Sequence, residues 1–313
     1  MKVRTYVLLS LLALILGVSA TRRPANDIRT VTFDVAVHDK NGNPVVGLQR
    51  SDFRVFENNV EQTITSFRLR KDPLAIVILA ELSDTYYLAD AIKPAEALIR
   101  SLQPQDWAAL VTFDSQPEIV VDFTHDKSAL LAGLHELQMP YSHEPALYDA
   151  LYFVLDRLNR IEGLEEKKAI CLLGTGRDTA SFRRSYGDVL KKAAASGTVI
   201  YAVGLEQSPG TASYSVHEPG SLVMTNQAGN NLRDIAQATG GVAFLPQFGG
   251  QYDAIPRIVS ADLRHQYTLS FVSPNARANG KLHRIRVEVA DTDVNDDGKP
   301  DKLRTRHQEG YYE

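Results

Sequence analysis

Cysteine is nearly missing from this 313-residue chain: Cys171 is the only one, so no internal disulfide can staple the fold. It stands in the apolar segment Ala169 to Leu173 and reads as a buried, inert thiol rather than a nucleophile. Long hydrophobic runs are lacking too. Tyr6 to Val18 is only thirteen residues long, short of the roughly 20 that a membrane span needs. Lys2 and Arg4 precede it and Val18-Ser19-Ala20 close it, which is the pattern of a secretory signal peptide over residues 1–20 with a mature chain from about Thr21. A retained anchor is the competing reading, and no cysteine follows the run to support lipoprotein processing. Without the leader no membrane span is expected. Basic excess is absent as well. The formal net charge is −4, and more negative without Lys2 and Arg4, which excludes the basic footprint of a nucleic-acid binder.

The signatures of common catalytic sites are also wanting. There is no GxSxG elbow, no HExxH and no Walker loop; Gly174-Thr175-Gly176 is too short and lacks the lysine. His135-Glu136 has no second histidine four residues on, and the eight histidines do not cluster. The expectation is a protein that is not an enzyme. An envelope-associated enzyme assembled from scattered residues is the alternative of a different class.

What the chain has is strand after strand. All seven residues from Leu74 to Ala80 are Leu, Ile, Val or Ala, an unbroken run that marks a central parallel strand buried on both faces. It stops abruptly in Glu81, Ser83, Asp84 and Thr85. In open α/β sheets the carboxyl ends of such strands are where ligands bind, although the same residues also serve as helix caps. Strand and helix patterns then alternate to about Arg264: Ala108–Phe113, Glu118–Phe123, a helix over Leu147–Leu158, Ala169–Leu173, a helix over Ser185–Ala195, Thr198–Val203, a helix near Leu232–Ala238, and Gly241–Leu245. That order predicts a doubly wound, mainly parallel, Rossmann-like sheet.

The flanks read differently. Val31, Phe33, Val35 and Val37 alternate with polar or small residues before Asn41-Gly42, a hairpin signal, and Phe53–Asn58 and Gln62–Phe67 add further strands. Gln266–Phe271 and His283–Val289 alternate in the same way, and Leu303–Tyr312 offers one last strand. Neither flank is long enough to bury a core alone. The expected organisation is therefore a signal peptide over 1–20, an N-terminal β module over 28–70, an α/β domain over 71–264, and C-terminal strands over 265–313 that complete an antiparallel β-sandwich with the N-terminal module.

This order of elements, together with the Phe113-Asp114 strand end, Pro145-Ala146-Leu147-Tyr148-Asp149-Ala150 and Thr239-Gly240-Gly241, resembles a von Willebrand factor type A domain. More narrowly, Asp39–Asp52, Ser101–Phe113 and Gln308–Tyr312 resemble exported type A-related proteins abundant in Acidobacteria. The resemblance covers roughly Val31 to the end and implies the fold and an interaction role. It also implies a place for Mg²⁺ or Mn²⁺ at the top of the sheet, held by a DxSxS loop, a Thr from a second loop and an Asp from a third. Here the first loop offers Glu81, Ser83 and Thr85; Pro145 stands where the second-loop Thr belongs, and Thr175 replaces the third-loop Asp. Glutamate for aspartate also pushes Mg²⁺ off its octahedron of roughly 2.0–2.1 Å. The expectation is a degenerate adhesion site that holds Mg²⁺ or Mn²⁺ weakly or not at all, with Asp84, Glu144 or Asp178 as the residues from which a different site would have to be rebuilt. A working metal-dependent adhesion domain is the alternative.

A second cation candidate lies near the C-terminus. Asp293, Asn295, Asp297 and Asp301 fall at the first, third, fifth and ninth places of a Ca²⁺ loop, with Gly298 at the sixth. Arg304 occupies the twelfth place and no paired helices flank the loop, so Ca²⁺ binding competes with a solvated acidic turn. Tyr86, Tyr87, Tyr141, His143 and Glu144, with the polar segment from Glu206 to Asn231, share the top surface. They are the expected face for a protein partner, whose identity the sequence does not disclose. The same Tyr residues could equally cover the sheet edge.

Overall fold

The computed structural model describes residues 29–83, 85–137, 142–161, 167–205, 221–246, 249–274, 280–294 and 298–312, with the backbone alone for 85–90, 221–225 and 249. Four strands come first: β1 (Arg29–His38), β2 (Phe53–Glu57), β3 (Val60–Gln62) and β4 (Ile64–Leu69). The middle of the chain runs β5 (Leu74–Glu81), α1 (Thr85–Ser101), β6 (Trp107–Phe113), β7 (Pro117–Thr124), α2 (Lys127–His135), α3 (Leu147–Arg160), β8 (Lys167–Gly174), α4 (Tyr186–Ser196), β9 (Val199–Gly204), α5 (Ser221–Ala238), β10 (Ala243–Phe244) and α6 (Ile255–Arg264). Four more strands follow: β11 (Gln266–Ser273), β12 (Leu282–Val289), β13 (Arg304–His307) and β14 (Gly310–Tyr312).

The middle strands form one sheet in the order β10-β9-β8-β5-β6-β7, parallel except for β7. Every residue of β5 is buried, as its unbroken apolar run requires. Side chains alternate between the two faces. Ile76, Ile78 and Ala80 share a core with Leu98 of α1, Leu134 of α2 and Val259 of α6. Val77 and Leu79 share the other with Leu151 of α3, Val189 of α4 and Ile235 of α5. Cys171 lies in the first of these cores, and burial pushes its thiol up to about 12, out of reach of reactive chemistry.

The outer strands build two antiparallel sheets, β13-β1-β11-β4 and β14-β12-β2-β3. Strand β1 pairs with β11 from Arg29↔Ser273 to Ala36↔Gln266, and β2 pairs with β12 from Phe53↔Val289 to Glu57↔Ile285. Phe33, Val35, Val55, Tyr267, Leu269, Ile285 and Val287 form a single core between them. Both ends of the chain thus supply the sandwich, as the alternating patterns predicted.

Local expectations fail where pairing is decided at long range. The Asn41-Gly42 turn forms, with Gly42 at φ +84°, but it carries only the bridge His38↔Pro44 instead of a hairpin. Both edges of β1 are already taken by β11 and β13. Gln62–Phe67 divides between β3 and β4 in different sheets, and Leu303–Tyr312 is two strands, again in different sheets. Helix α6 was not expected at all, and α5 starts at Ser221, so the end of the segment read as a polar loop is helical. Residues 206–220 and 1–28, which include the leader read over 1–20, lie outside the described residues.

Sandwich and α/β layer meet through buried charge. Asp34 of β1 receives Thr268 Oγ1 at 2.8 Å and Arg70 at 2.9 Å, and lies 3.5 Å from the buried Lys167 Nζ at the start of β8. Burial alone would raise the Asp34 pKa; Lys167 and Arg70 outweigh it and hold the carboxyl below its ordinary value. Burial lowers Lys167 to about 8, against the pull of Asp34. Nearby, Asp262 of α6 accepts the Tyr201 hydroxyl at 2.7 Å, Arg306 at 3.1 Å and His38 Nε2 at 2.5 Å. Backbone contact is equally tight at Thr239-Gly240-Gly241. A Cβ at Gly240, whose φ is +79°, would come within 2.5 Å of the His307 backbone, and one at Gly241 within 1.9 Å of the Ile200 carbonyl.

Removing one partner from such a cluster strands the others. Asp34→Ala should cost about 3 kcal/mol or more, since it removes the carboxylate paired with the buried Lys167, while Arg70 keeps only Asp72. Because the Lys167 pKa is lowered by folding, the unfolded state binds more protons between its folded value, about 8, and its ordinary 10.5. Wild type should therefore gain stability relative to Lys167→Met as pH rises through that window, measured by urea unfolding at fixed ionic strength.

Candidate functional site

The buried strand β5 ends by carrying a carboxylate into the top of the sheet. Glu81 is 1% exposed and still paired with Phe113 of β6, so the chain has not yet reached solvent when its side chain must be satisfied. Three donors converge on it. Ser83 Oγ donates to Oε1 at 2.5 Å, the Thr175 N–H to Oε2 at 2.7 Å, and the Thr175 hydroxyl lies 3.1 and 3.0 Å from the two oxygens. Thr175 follows β8 directly, and its backbone reaches Glu81 because Gly174 has no side chain: a Cβ there would sit 2.9 Å from Oε2. Thr175 Oγ1 in turn accepts the Arg177 N–H at 3.2 Å.

The protonation balance follows from these contacts. Desolvation raises the Glu81 pKa above its ordinary value, opposed by the Ser83 and Thr175 hydrogen bonds and by the charge of Arg177; burial wins. Each hydroxyl has one proton to give, and those of Ser83 and Thr175 are given to Glu81. The polar groups from the first and third loops are thus directed at one another.

The second loop is anchored elsewhere. The backbone N–H of Ser142 donates to Asp114 Oδ2 at 2.9 Å and that of Ala146 to the Asp114 carbonyl at 2.7 Å. Pro145 is buried, and its carbonyl accepts the N–H groups of Thr179 and Ala180. Helix α3, with no cap from Ala146, is capped from outside: Asp178 Oδ1 accepts the Tyr148 N–H at 3.1 Å, and Ser181 Oγ the Asp149 N–H at 3.0 Å. Asp178 is thereby a helix cap. Neither it nor Ser181 as a cap was apparent from sequence order, since Ser181 lies 32 residues from the N–H it receives.

Of the residues expected at the adhesion site, the fold brings Glu81, Ser83 and Thr175 together; the side chain of Thr85, at the first position of α1, lies outside the described residues, as do Asp84, Tyr86, Tyr87 and Tyr141. His143 and Glu144 are exposed, and His143 Nδ1 donates to the Ser83 carbonyl at 3.0 Å, tying the second loop to the first. Sequence reading missed the most exposed phenylalanine among the described residues. Phe182, 78% exposed, lies on the loop that caps α3. Its N–H and that of Arg183 reach Asp149 Oδ2, and the Arg183 guanidinium lies 5.1 Å from the Phe182 ring. Arg184 stacks on Tyr152 of α3 at 3.9 Å.

At the C-terminal acidic loop, Asn295 and Asp297 lie outside the described residues. Asp293 Oδ2 accepts the Gly298 N–H at 2.7 Å; Asp301 is buried, bridges to Thr292 through the backbone, and lies 3.7 Å from Lys40 Nζ. Among the described residues no group of three or more His, Cys, Asp or Glu side chains is disposed to hold a metal.

Residues 80–177, spanning β5 to the third loop, match the family model of the von Willebrand factor type A domain. The central unit is a von Willebrand factor type A domain. Solved structures similar in fold to the chain include an aerotolerance-related membrane protein from Bacteroides fragilis, crystallised with multiple mutations to serines (12% identity, TM-score 0.47, 61% of this chain and 98% of that one). A von Willebrand factor type A protein from Catenulispora acidiphila is 12% identical with a TM-score of 0.46, over 91% of this chain and 75% of that one. The proximal thread matrix protein 1 of the mussel byssus, with a zinc-occupied MIDAS motif, is 15% identical with a TM-score of 0.46, over 66% and 49%. No curated protein matches the chain.

The Glu81 contacts of this type A domain have a titration signature. A carboxyl whose pKa folding raises contributes stability that is fully present below its ordinary value near 4.5 and is lost as pH rises through the folded value. Wild type should thus gain stability relative to Glu81→Gln, which does not titrate, as pH is lowered from neutral toward 4.5. Thermal unfolding across that range measures the difference.

Proposed function

We propose that this chain is an exported protein–protein interaction module, serving adhesion or scaffolding, whose type A domain engages its partner without a bound Mg²⁺ or Mn²⁺. The observation that carries the proposal is the use of Ser83 and Thr175 as donors to Glu81. A divalent cation at this place needs oxygen lone pairs facing outward and near-ideal octahedral spacing. Here a neutral threonine stands for the third-loop carboxylate, a buried proline for the second-loop hydroxyl, and the one remaining carboxylate faces inward. These residues do not fit the ion. Export is supported by the Lys2/Arg4 start and apolar run before Ala20. Among the described residues no helix is long and apolar enough to cross a membrane.

The partner face we assign is the loop carrying Phe182 and Arg183, flanked by His143 and Glu144. Aromatic residues, Phe among them, and arginine are both enriched in protein interfaces. The reading includes no catalysis: the buried Cys171 is unreactive, and the buried Glu81 carboxylate at the top of the sheet is held by its own neighbours.

Calorimetric titration of chelator-stripped residues 21–313 with Mg²⁺ and Mn²⁺ should give no heat of binding. A heat that disappears in Glu81→Ala would make metal-dependent adhesion the correct reading. Ca²⁺ in the same series, with Asp293→Ala as its control, reads the C-terminal loop separately.

A further inference from the structure

The sandwich and the type A domain enclose a cleft of about 920 Å³ between α5 and β10 on one side and β12 and β13 on the other. It shares no residue with the Glu81 loops or with the Phe182 face. Its charge runs against that of the chain. In a protein of formal net charge −4, the lining carries Arg233, Arg284, Arg286 and Arg306 and one acid, Glu309. Glu309 is engaged by Gln237 Nε2 at 2.5 Å, and Arg306 is spent on Asp262. Arg286 contacts Glu288 and stacks over Phe56. Arg284 and Arg233, on opposite walls, are different: neither has an acidic partner among the described residues, and Arg233 bonds only to the Asn230 side chain at 2.9 Å. Both are exposed guanidinium groups lining a common space in an acidic protein, and they suit carboxylates because the guanidinium fork binds them bidentately.

The walls add a second constraint. Strand β10 is the last strand of the central sheet and β13 the last of one sandwich sheet, so two sheet edges border the same cleft. Edge strands present unpaired backbone groups that an extended chain can pair with. A small anion would use the arginines and leave the edges idle; an extended peptide uses both. We infer that this cleft binds an extended acidic peptide segment of a partner protein, with Arg233 and Arg284 clamping its carboxylates from either side. The inference is independent of the metal-free reading of the Glu81 site.

The test uses the mature chain and fluorescein-labelled peptides of about ten residues, within the usual length of a strand, in which Glu alternates with Thr. Controls replace Glu by Gln or by Lys. The Glu peptide should bind, salt should weaken it, and Arg233→Glu and Arg284→Glu should each lower its affinity about tenfold or more. Lys93→Glu, at an exposed position of α1 outside the cleft lining, should leave it unchanged, and unaltered melting of all three variants shows that they fold. The inference is overturned if the Glu and Gln peptides bind alike or not at all, or if the two cleft variants bind as wild type does. It is equally overturned if a sulfated polysaccharide or inorganic phosphate competes the peptide away while the peptide's own binding survives Arg284→Glu.

Discussion

A strand buried on both faces and along both edges has no solvent to fall back on, and β5 is such a strand. Its seven aliphatic residues force helices onto both sides of the sheet and β6 and β8 onto its two edges. The constraint persists at the strand's last residue, where the side chain is a carboxylate. Burying an isolated charge is expensive, so Glu81 must find donors within the top of the sheet. It finds them in Ser83, two residues on, and in Thr175 after the neighbouring strand. The loops that look in sequence like a weakened cation site also solve the problem of ending a fully buried strand on glutamate.

The same logic of satisfied burial explains how the sandwich stays attached. Asp34 with Arg70 and Lys167, and Asp262 with His38, Tyr201 and Arg306, place charged groups from β1 and β13 against β8, β9 and α6. Buried charge is weak as a source of net stability and strong as a constraint on geometry, since only one docking satisfies every member. With Gly240 and Gly241 allowing backbone contact, the two layers hold a fixed relation, and the arginine-lined cleft exists because of it.

Much of the fold was legible from periodicity, and the reasons for the exceptions are specific. The aliphatic run of β5 and the alternation in β1, β2, β11 and β12 named both architectures, because each period reports which faces are buried. Helix α6 escaped: ten residues long, with Pro256 in its first turn, it looks like a break although proline is well tolerated at a helix start. The splitting of Leu303–Tyr312 was invisible because pairing partners, not propensity, assign β13 and β14 to different sheets. At the site, the identities of Glu81, Ser83 and Thr175 could be read in order, but not that they bond to each other, since Thr175 lies 94 residues from Glu81. Neither the exposure of Phe182 nor the facing of Arg233 and Arg284 leaves a local signal.

The central claim is that Glu81 is held by its own neighbours and not by a cation. Anomalous diffraction from crystals of the mature chain grown with Mn²⁺ tests it most directly, because it reports ion and side chain in one map. The account predicts no anomalous density among Glu81, Ser83 and Thr175, with the Glu81 carboxylate within hydrogen-bond distance of the Thr175 N–H. A Mn²⁺ peak there, with Glu81 swung outward to bind it, would contradict the account and return the site to metal-dependent adhesion.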